Sequence, residues 1–174
     1  PMSKSALRTR SLLLTALFAA LTAVGAFLRV PVGPISFTLQ VFFTCTAGLL
    51  LGPWYGAAAA GIGSMLVDLL SGYGHYVPGT LIIKGVDALA AALIFRAMGR
   101  SKTALLVSGT VGEIIMVVGY FFYASLILGK GLAAAASIPG NIVQGIAGVA
   151  IGMALAMVLQ KTKSSVIRGF NMQQ

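Results

Sequence analysis

The sequence predicts an all-α integral membrane protein, a bundle of six transmembrane helices with both termini in the cytoplasm. Of its 174 residues, 58% are hydrophobic and only 9% are charged, and the mean hydropathy is +0.97. A soluble domain usually carries about 25% charged residues. This chain has too few charged side chains to form a water-exposed surface, so we expect lipid to surround it. The 22 glycines suit helices in a bilayer, where small residues allow close backbone approach.

Six apolar segments predict the six helices, because a helix needs about 20 apolar residues to cross the hydrocarbon core. The segments are residues 11–28, 38–52, 54–70, 80–98, 104–128 and 138–160. The second and third are short and are divided at Gly52 and Pro53, since proline ends a helix and one span over 38–70 would be too long.

The chain outside these segments is short and basic. Residues 1–10 form a cytoplasmic N-terminus, in which Pro1 is interpreted as an added residue before the natural start; residues 11–160 form the membrane domain, and residues 161–174 form a cytoplasmic tail. Arg8 and Arg10 ahead of an apolar stretch would also suit a signal peptide. That alternative is disfavoured because the remainder of the chain is itself membrane-embedded.

The orientation follows from the positions of lysine and arginine. With the N-terminus inside, the inner regions contain Lys4, Arg8, Arg10, Arg96, Arg100, Lys102, Lys161, Lys163 and Arg168. The outer regions contain only Arg29 and Lys130. Cytoplasmic loops are enriched in these two residue types, so we expect a multi-pass protein of a bacterial or archaeal cytoplasmic membrane. This placement also explains the net charge of +9 without nucleic acid as a partner.

Several kinds of chemistry are excluded by missing motifs. "GRSKTALL" lacks the glycine-lysine order of a phosphate-binding loop, so we expect no ATPase in this chain. One histidine and one cysteine leave no zinc site, and the single Cys45 excludes an intrachain disulfide. No serine stands in G-x-S-x-G. The prediction is therefore a non-enzyme with no cofactor and no metal.

In the predicted topology, polar side chains from five segments meet at one level in the outer half of the membrane. The candidate substrate-binding residues are Gln40, Asp68, His75, Tyr76, Lys84, Asp87, Glu113, Tyr120, Asn141 and Gln144. We interpret this level as a pocket that faces the outside. Gln144 lies too deep to be explained as a helix cap.

Each group also has a purely structural interpretation. Lys84 and Asp87 are spaced i, i+3 and could neutralise one another. Glu113 lies near mid-depth, where a charge costs about 2.5 kcal/mol or more, so it is protonated, paired with Lys84 or facing a polar cavity.

The outer groups have similar alternatives. Asp68 could anchor a helix end, His75 could be solvated in a loop, Tyr76 could be an interfacial aromatic residue, and Asn141 could cap the last helix after Pro139.

Four stretches of the chain are distinctive when taken together, namely "TALFAAL", "AGLLLGPWYGAAAAGIGSMLVDLLSGY", "PGTLIIKG" and "IPGNIVQGIAG". With them the chain resembles the substrate-binding S components of energy-coupling-factor (ECF) vitamin transporters. The resemblance covers nearly the whole length. It implies a six-helix bundle that captures a vitamin outside and then associates with a transmembrane coupling subunit and two cytoplasmic ATPases. It also implies that Ala16 and Ala20, spaced A-x-x-x-A, contact the coupling subunit, and that the loop at 29–37 is a lid.

The substrate is less defined than the class. "ISFTLQ" is similar to biotin-specific subunits, whereas "DLLSGYGHYVPGTLIIKG" looks like subunits for pyridoxine or for the hydroxymethylpyrimidine precursor of thiamine. We favour the pyridoxine-like or hydroxymethylpyrimidine substrate, with biotin or another B vitamin as the alternative. Two other functions stay open, a stand-alone proton-coupled carrier that uses Asp68, Asp87 and Glu113, and a non-transporting membrane scaffold.

Overall fold

The computed structural model describes residues 3–32, 35–38 and 40–161, so the predicted tail over 161–174 lies outside the described residues except for Lys161. Long α-helices account for most of this part of the chain. The main elements are α1 (Lys4–Phe27), β1 (Arg29–Val32), β2 (Ile35–Thr38), α2 (Gln40–Leu70), α3 (Val77–Ala97), α4 (Lys102–Phe122) and α5 (Ile138–Lys161). Short 3₁₀ turns cover Gly74–Tyr76 and Gly131–Ser137, and a π-helical turn covers Tyr123–Ile127.

Helix α2 is a helical hairpin that reverses at Gly52. Gly52 has φ 79° and ψ −175°, which no helix contains. Gln40 Nε2 donates to Ser64 Oγ at 3.1 Å, although 24 residues of straight helix would separate them by about 36 Å. A Cβ on Gly56 would lie 2.8 Å from Gly48 Cα. The two arms, residues 40–51 and 53–70, therefore lie side by side as antiparallel helices, and the predicted break at Gly52 and Pro53 is confirmed.

Four stretches of the described chain are long and apolar enough to cross a membrane. They are Lys4–Phe27, Gly74–Ala97, Lys102–Ile127 and Gly131–Leu155. The arms of α2 add two shorter apolar helices. A predominantly helical membrane fold is thus confirmed, with five α-helices in the described residues, one of which folds back into two arms. The count of six spans and the cytoplasmic position of both termini stay predictions.

The first helix begins earlier than the predicted segment. Lys4, Arg8 and Arg10 lie inside α1, whereas the sequence placed them in a separate N-terminal segment before residue 11. The start is set by Ser3, whose Oγ accepts a hydrogen bond from Ala6 N at 3.2 Å, the usual role of serine at a helix N-cap. Ser101 starts α4 in the same way, through Ala104 N at 3.0 Å.

The segment predicted to be a lid loop forms a β-hairpin. β1 and β2 pair antiparallel, with Arg29 opposite Thr38 and Val32 opposite Ile35. The valines and isoleucine of this stretch favour extended structure. The hairpin joins α1 to α2 at the end of the bundle where α2 also meets the 71–76 turn.

Small residues bring the helices together, as expected in lipid. Gly63 of α2 lies against Ala19 and Thr22 of α1, and Gly61 lies against Leu81 of α3. Each helix packs on the next in sequence, and α5 returns to α2. Helices α2 to α5 therefore form a closed ring that can enclose a cavity.

Candidate functional site

A cavity of about 220 Å³ lies inside the ring of helices α2 to α5. One stripe of α3, at helical spacing, runs along it. The described residues of that stripe are Lys84, Asp87, Ala88, Ala91, Ala92, Phe95 and Arg96. Side chains from the other three helices complete the wall, so the cavity runs along the helix axes instead of across them.

One end of the cavity is polar. Gln40 lines it from α2, Lys84 from α3 and Gln144 from α5. Lys84 Nζ donates to Met116 Sδ at 2.7 Å, and within the described ranges it forms no ion pair with a carboxylate. Because a thioether is a weak acceptor, the ammonium keeps most of its capacity to bind a stronger acceptor. Lys84 and Asp87 thus line the same end of the cavity without a direct ion pair between them.

The carboxylates of Asp87 and Glu113 also line this polar end, and each lies against a glycine of a neighbouring helix. A Cβ on Gly112 would collide with Asp87 Oδ1, and a Cβ on Gly145 would collide with Glu113 Oε2. Glu113 Oε2 is buried and has no hydrogen-bond partner. A buried acceptor without a partner costs about 1–3 kcal/mol, and more when it is charged. This cost is explained if a ligand supplies the missing donor.

The opposite end of the cavity is apolar and then cationic. Its lining there includes Ala91, Ala92 and Phe95 of α3 and Val149 and Met153 of α5. Beyond them, the cavity reaches the exposed Arg96 and Arg100, where α3 turns into α4. Both acidic groups of the lining lie at the far end from these arginines.

A hydrogen-bonded layer lies one helical turn beyond the polar end of the cavity. Tyr120 Oη donates to Thr80 Oγ1 at 3.0 Å, and Thr80 Oγ1 donates to Asp68 Oδ2. Thr80 is 2% exposed. This chain of bonds ties α2, α3 and α4 together, and none of its three residues is part of the cavity lining.

An aromatic cluster covers that layer. Tyr123 Oη donates to the His75 carbonyl at 2.7 Å, and Lys130 Nζ donates to Tyr76 Oη at 2.9 Å. The Tyr76 ring lies 4.8 Å from the His75 ring and 6.5 Å from the Tyr120 ring, between centroids. The outer tyrosines and the histidine are thus occupied by contacts with one another.

The structure divides the predicted binding residues into two groups. Those that line the cavity are Gln40, Lys84, Asp87, Glu113 and Gln144. Those outside its lining are Asp68, His75, Tyr76, Tyr120 and Asn141. Within the second group, Asp68 and Tyr120 belong to the hydrogen-bonded layer and His75 and Tyr76 to the aromatic cluster. The part of all five residues in ligand binding stays a prediction.

Some lining residues were not among the predicted site residues. Ser64 was not predicted as a lining residue, because small residues are common throughout this sequence. It lies four residues before Asp68 and therefore on the same helix face, which could have indicated a position near the site. Arg96 and Arg100 were assigned to topology alone, because basic residues at a helix end are common at the inner interface.

The predicted docking alanines lie on the outer face of α1. Ala16 and Ala20 are exposed, whereas the neighbouring Ala19 and Ala23 are 4% and 5% exposed. The buried pair packs toward α2, so the A-x-x-x-A face of residues 16 and 20 is left for lipid or another protein.

The chain matches known transporter components over most of its length. The model of the family described as "ECF-type riboflavin transporter, S component" matches residues 6–161. A "Probable biotin transporter BioY" of Pyrococcus horikoshii is 32% identical over 127 residues, which are 70% of this chain and 78% of that protein. A "Thiamine precursor transporter HmpT" of Lactococcus lactis is 32% identical over 166 residues, which are 92% of this chain and 93% of that protein.

A solved structure supports the same fold. It is described as the S component of a bacterial ECF transporter, and it superposes with a TM-score of 0.65 at 19% sequence identity, covering 88% of this chain and 97% of that one. The helical bundle, the family match and the two transporter relatives agree with the resemblance noted in the sequence. The chain belongs to the S-component family of energy-coupling-factor transporters.

Proposed function

We propose that this chain captures a small, nitrogen-containing vitamin or vitamin precursor outside the cell for an ATP-driven ECF importer. The observation that carries the proposal is the buried Glu113 Oε2, which lines the cavity and has no protein partner. Beside it, Asp87, Lys84 and the amide of Gln144 line the same end. Such a set offers acceptors and donors to the edge of a heterocycle.

The size of the cavity supports a small substrate. Small-molecule pockets usually measure about 300–1,000 Å³, whereas this cavity is about 220 Å³. A one-ring compound such as a pyridoxine-like molecule or hydroxymethylpyrimidine suits that volume better than the three fused rings of riboflavin. Biotin is the second candidate, because its cyclic urea also presents two N–H groups to carboxylates.

The proposed orientation has six spans, with both termini and the α3–α4 turn in the cytoplasm. The positive charge at Arg96, Arg100 and Lys102 supports it. The Tyr120–Thr80–Asp68 layer then lies between the cavity and the outside, so capture requires this layer to separate. A transmembrane coupling subunit and two cytoplasmic ATPases would supply the energy, because this sequence carries no phosphate-binding loop.

A vitamin panel tests the proposal. The purified chain is heated with pyridoxine, hydroxymethylpyrimidine, biotin, thiamine and riboflavin in turn, and its unfolding temperature is followed. A ligand that binds only the folded state raises stability by about 2.7 kcal/mol at 100 times its Kd, so one compound should raise the temperature clearly. Native mass spectrometry should give one bound molecule per chain. The proposal is wrong if no compound in the panel binds.

A stand-alone proton-coupled carrier is the other candidate that an observation favours, since Asp87 and Glu113 are two carboxylates within the membrane region. Uptake into proteoliposomes separates the two functions. An S component should accumulate nothing without the coupling subunit and ATPases, whereas a carrier should accumulate substrate when a proton gradient alone is applied.

A further inference from the structure

We infer that the polar end of the cavity selects a ring that presents N–H donors, and that Ser64 sets this selectivity by fixing the side-chain amide of Gln40. The inference rests on the proposed function and narrows its substrate class. The ring contacts two acceptors at once, Gln40 Oε1 and Glu113 Oε2, which belong to different helices. The amino group of hydroxymethylpyrimidine or the ureido group of biotin suits these acceptors better than the hydroxyl groups of pyridoxine.

Helices α2 and α3 bring Gln40 and Lys84 to one level of the bundle. A Cβ on Gly61 of α2 would lie 3.5 Å from Gly85 Cα of α3. Ser64 follows Gly61, and Lys84 precedes Gly85 on the antiparallel α3, so Ser64 and Lys84 lie within one helical turn of each other along the bundle axis. Gln40 joins this level because its amide bonds to Ser64.

Helices α4 and α5 continue the same level. Lys84 Nζ donates to Met116 Sδ of α4 at 2.7 Å, and Glu113 lies three residues before Met116, which is about 4.5 Å along the helix. Glu113 packs on Gly145 of α5, the neighbour of Gln144 in sequence. The polar side chains of this level line a cavity of about 220 Å³, so one ring with its substituents contacts several of them at once.

The amide of Gln40 is held in one orientation. Its Nε2 donates to Ser64 Oγ at 3.1 Å, and Ser64 is 3% exposed. The backbone of Gln40 is fixed as well, because its carbonyl accepts a hydrogen bond from Thr44 Oγ1 at 2.9 Å. Since the two branches of an amide diverge, Gln40 Oε1 points away from Ser64 and can accept a hydrogen bond from a ligand.

Acceptor groups outnumber donor groups at this end of the described lining. Asp87 and Glu113 carry carboxylate oxygens, and Gln40 adds an amide oxygen. The donors are Lys84 and the amide of Gln144, which also carries an oxygen. Because Glu113 Oε2 has no partner in the protein, and a buried acceptor without a donor is unfavourable, the ligand completes the hydrogen bonding by donating.

An amino group on a ring meets this demand most fully. It carries two N–H donors, whereas a carbonyl at the same position would place lone pairs against the acceptors. The ring nitrogen beside the amino group of a pyrimidine is an acceptor, to which Lys84 can donate. The ureido group of biotin supplies the same types of group, two N–H donors beside a carbonyl oxygen.

Matched pairs of ligands test the inference on the purified full-length chain. Isothermal titration compares hydroxymethylpyrimidine with its 4-oxo analogue, in which a carbonyl replaces the amino group, and biotin with 1′-N-methylbiotin, which lacks one N–H. Pyridoxine is titrated alongside. The selectivity is the ratio of the two dissociation constants in a pair.

Two variants change the proposed acceptor and one is a control. Ser64→Ala removes the group that holds the Gln40 amide, and Gln40→Met keeps the length of the side chain without its oxygen. Thr15→Val is the control, because it removes a buried hydroxyl that donates to the Ser11 carbonyl within α1, away from the cavity lining. Thermal unfolding of the unliganded variants checks that each remains folded.

In the unmodified chain, the N–H-bearing member of one pair should bind at least a hundredfold more tightly than its analogue, since a site built to bond an N–H group strongly rejects a ligand that lacks it. Ser64→Ala should reduce this ratio at least tenfold, because the released amide can turn its NH₂ group toward the ligand. Gln40→Met should reduce it similarly, and Thr15→Val should leave it unchanged. The pair that shows the ratio identifies the source of the N–H groups.

Three results would overturn the inference. The members of both pairs could bind equally, pyridoxine could bind most tightly, or Ser64→Ala could leave the ratio unchanged. In each of these cases a vitamin still binds, so the proposed function survives without this selectivity. If no compound binds, both the proposed function and the inference are wrong.

Discussion

Two buried polar atoms in the described part of the chain have no hydrogen-bond partner, and they differ in what surrounds them. Thr22 Oγ1 lies between α1 and α2, where Thr22 is fully buried against Gly63. Glu113 Oε2 lines the cavity. Burial alone therefore does not distinguish a tolerated packing defect from a binding group, but access to a cavity does.

Glu113→Gln should weaken ligand binding without weakening the fold. The change keeps the size of the side chain but replaces one carboxyl oxygen by an NH₂ donor, so a ligand N–H can lose its acceptor. An unsatisfied buried polar group costs about 1–3 kcal/mol, or roughly tenfold in Kd. Thr22→Val is the matched control, because it removes the other unpartnered atom. It should raise the unfolding temperature or leave it unchanged and should not affect Kd. An unaltered Kd for Glu113→Gln would refute the assignment of Glu113.

Gly145→Ala should also impair binding, because the new Cβ would occupy the place of Glu113 Oε2. The carboxylate would have to move away from the cavity wall, and we expect an affinity loss of about tenfold in calorimetry. Gly140→Ala, in the same helix, meets nothing within 4 Å and should leave affinity unchanged. Equal effects of the two substitutions would indicate that helix propensity, not the position of Glu113, controls binding.

At the scale of single elements, the reversal of α2 depends on one residue. Gly52 combines φ 79° with ψ −175°, a conformation that only glycine adopts readily. Pro53 follows and cannot donate the next backbone hydrogen bond. Together they let two short apolar helices replace one long one, and they place Gln40 beside Ser64.

Gly52→Ala should destabilise the chain by about 1–3 kcal/mol, the cost of a side chain in such a conformation. Thermal unfolding in detergent measures this as a lower transition temperature. Gly48→Ala is the control, since a Cβ there has open space and alanine favours a helix by about 0.5–1 kcal/mol. A transition temperature for Gly52→Ala as high as that of Gly48→Ala would show that the reversal tolerates other residues.

At the scale of the whole molecule, α1 presents two different faces. Ala19 and Ala23 pack toward α2, whereas Ala16 and Ala20 face outward beside Leu13 and Leu17. Since membrane helices associate through small residues, the outer face suits a partner helix. The division separates the residues needed for folding from those proposed for assembly.

Replacing Ala16 and Ala20 together by tryptophan should leave vitamin binding intact and abolish ATP-driven uptake by the assembled transporter. The bulky rings would prevent close approach of the coupling subunit without entering the core. Ala19→Trp is the contrasting variant, because it would overfill the contact with Gly63 and should lower the unfolding temperature. Normal uptake by the double variant would refute the docking role.

Much of the fold could be predicted from local patterns along the sequence. Apolar length and the Gly52–Pro53 break predicted the helical arms, and the A-x-x-x-A and "IPGNIVQG" stretches predicted the family. The starts of α1 and α3 were less accurate, because Ser3 and the 71–76 turn set them through local hydrogen bonds. The β-hairpin at 29–38 was also unexpected, since four-residue strands carry little signal.

The sequence by itself determined that this chain is a membrane protein and where its helices are divided. It also determined the relative depth of the few polar groups, because each helical residue advances about 1.5 Å along the axis. Only the tertiary structure decided which groups share a cavity. Asp68 and Tyr120 meet through Thr80, whereas Glu113 and Arg96 line the cavity. The physical reason is that depth follows from position in the chain, but the rotation of each helix and the neighbour it faces follow from packing against the other helices.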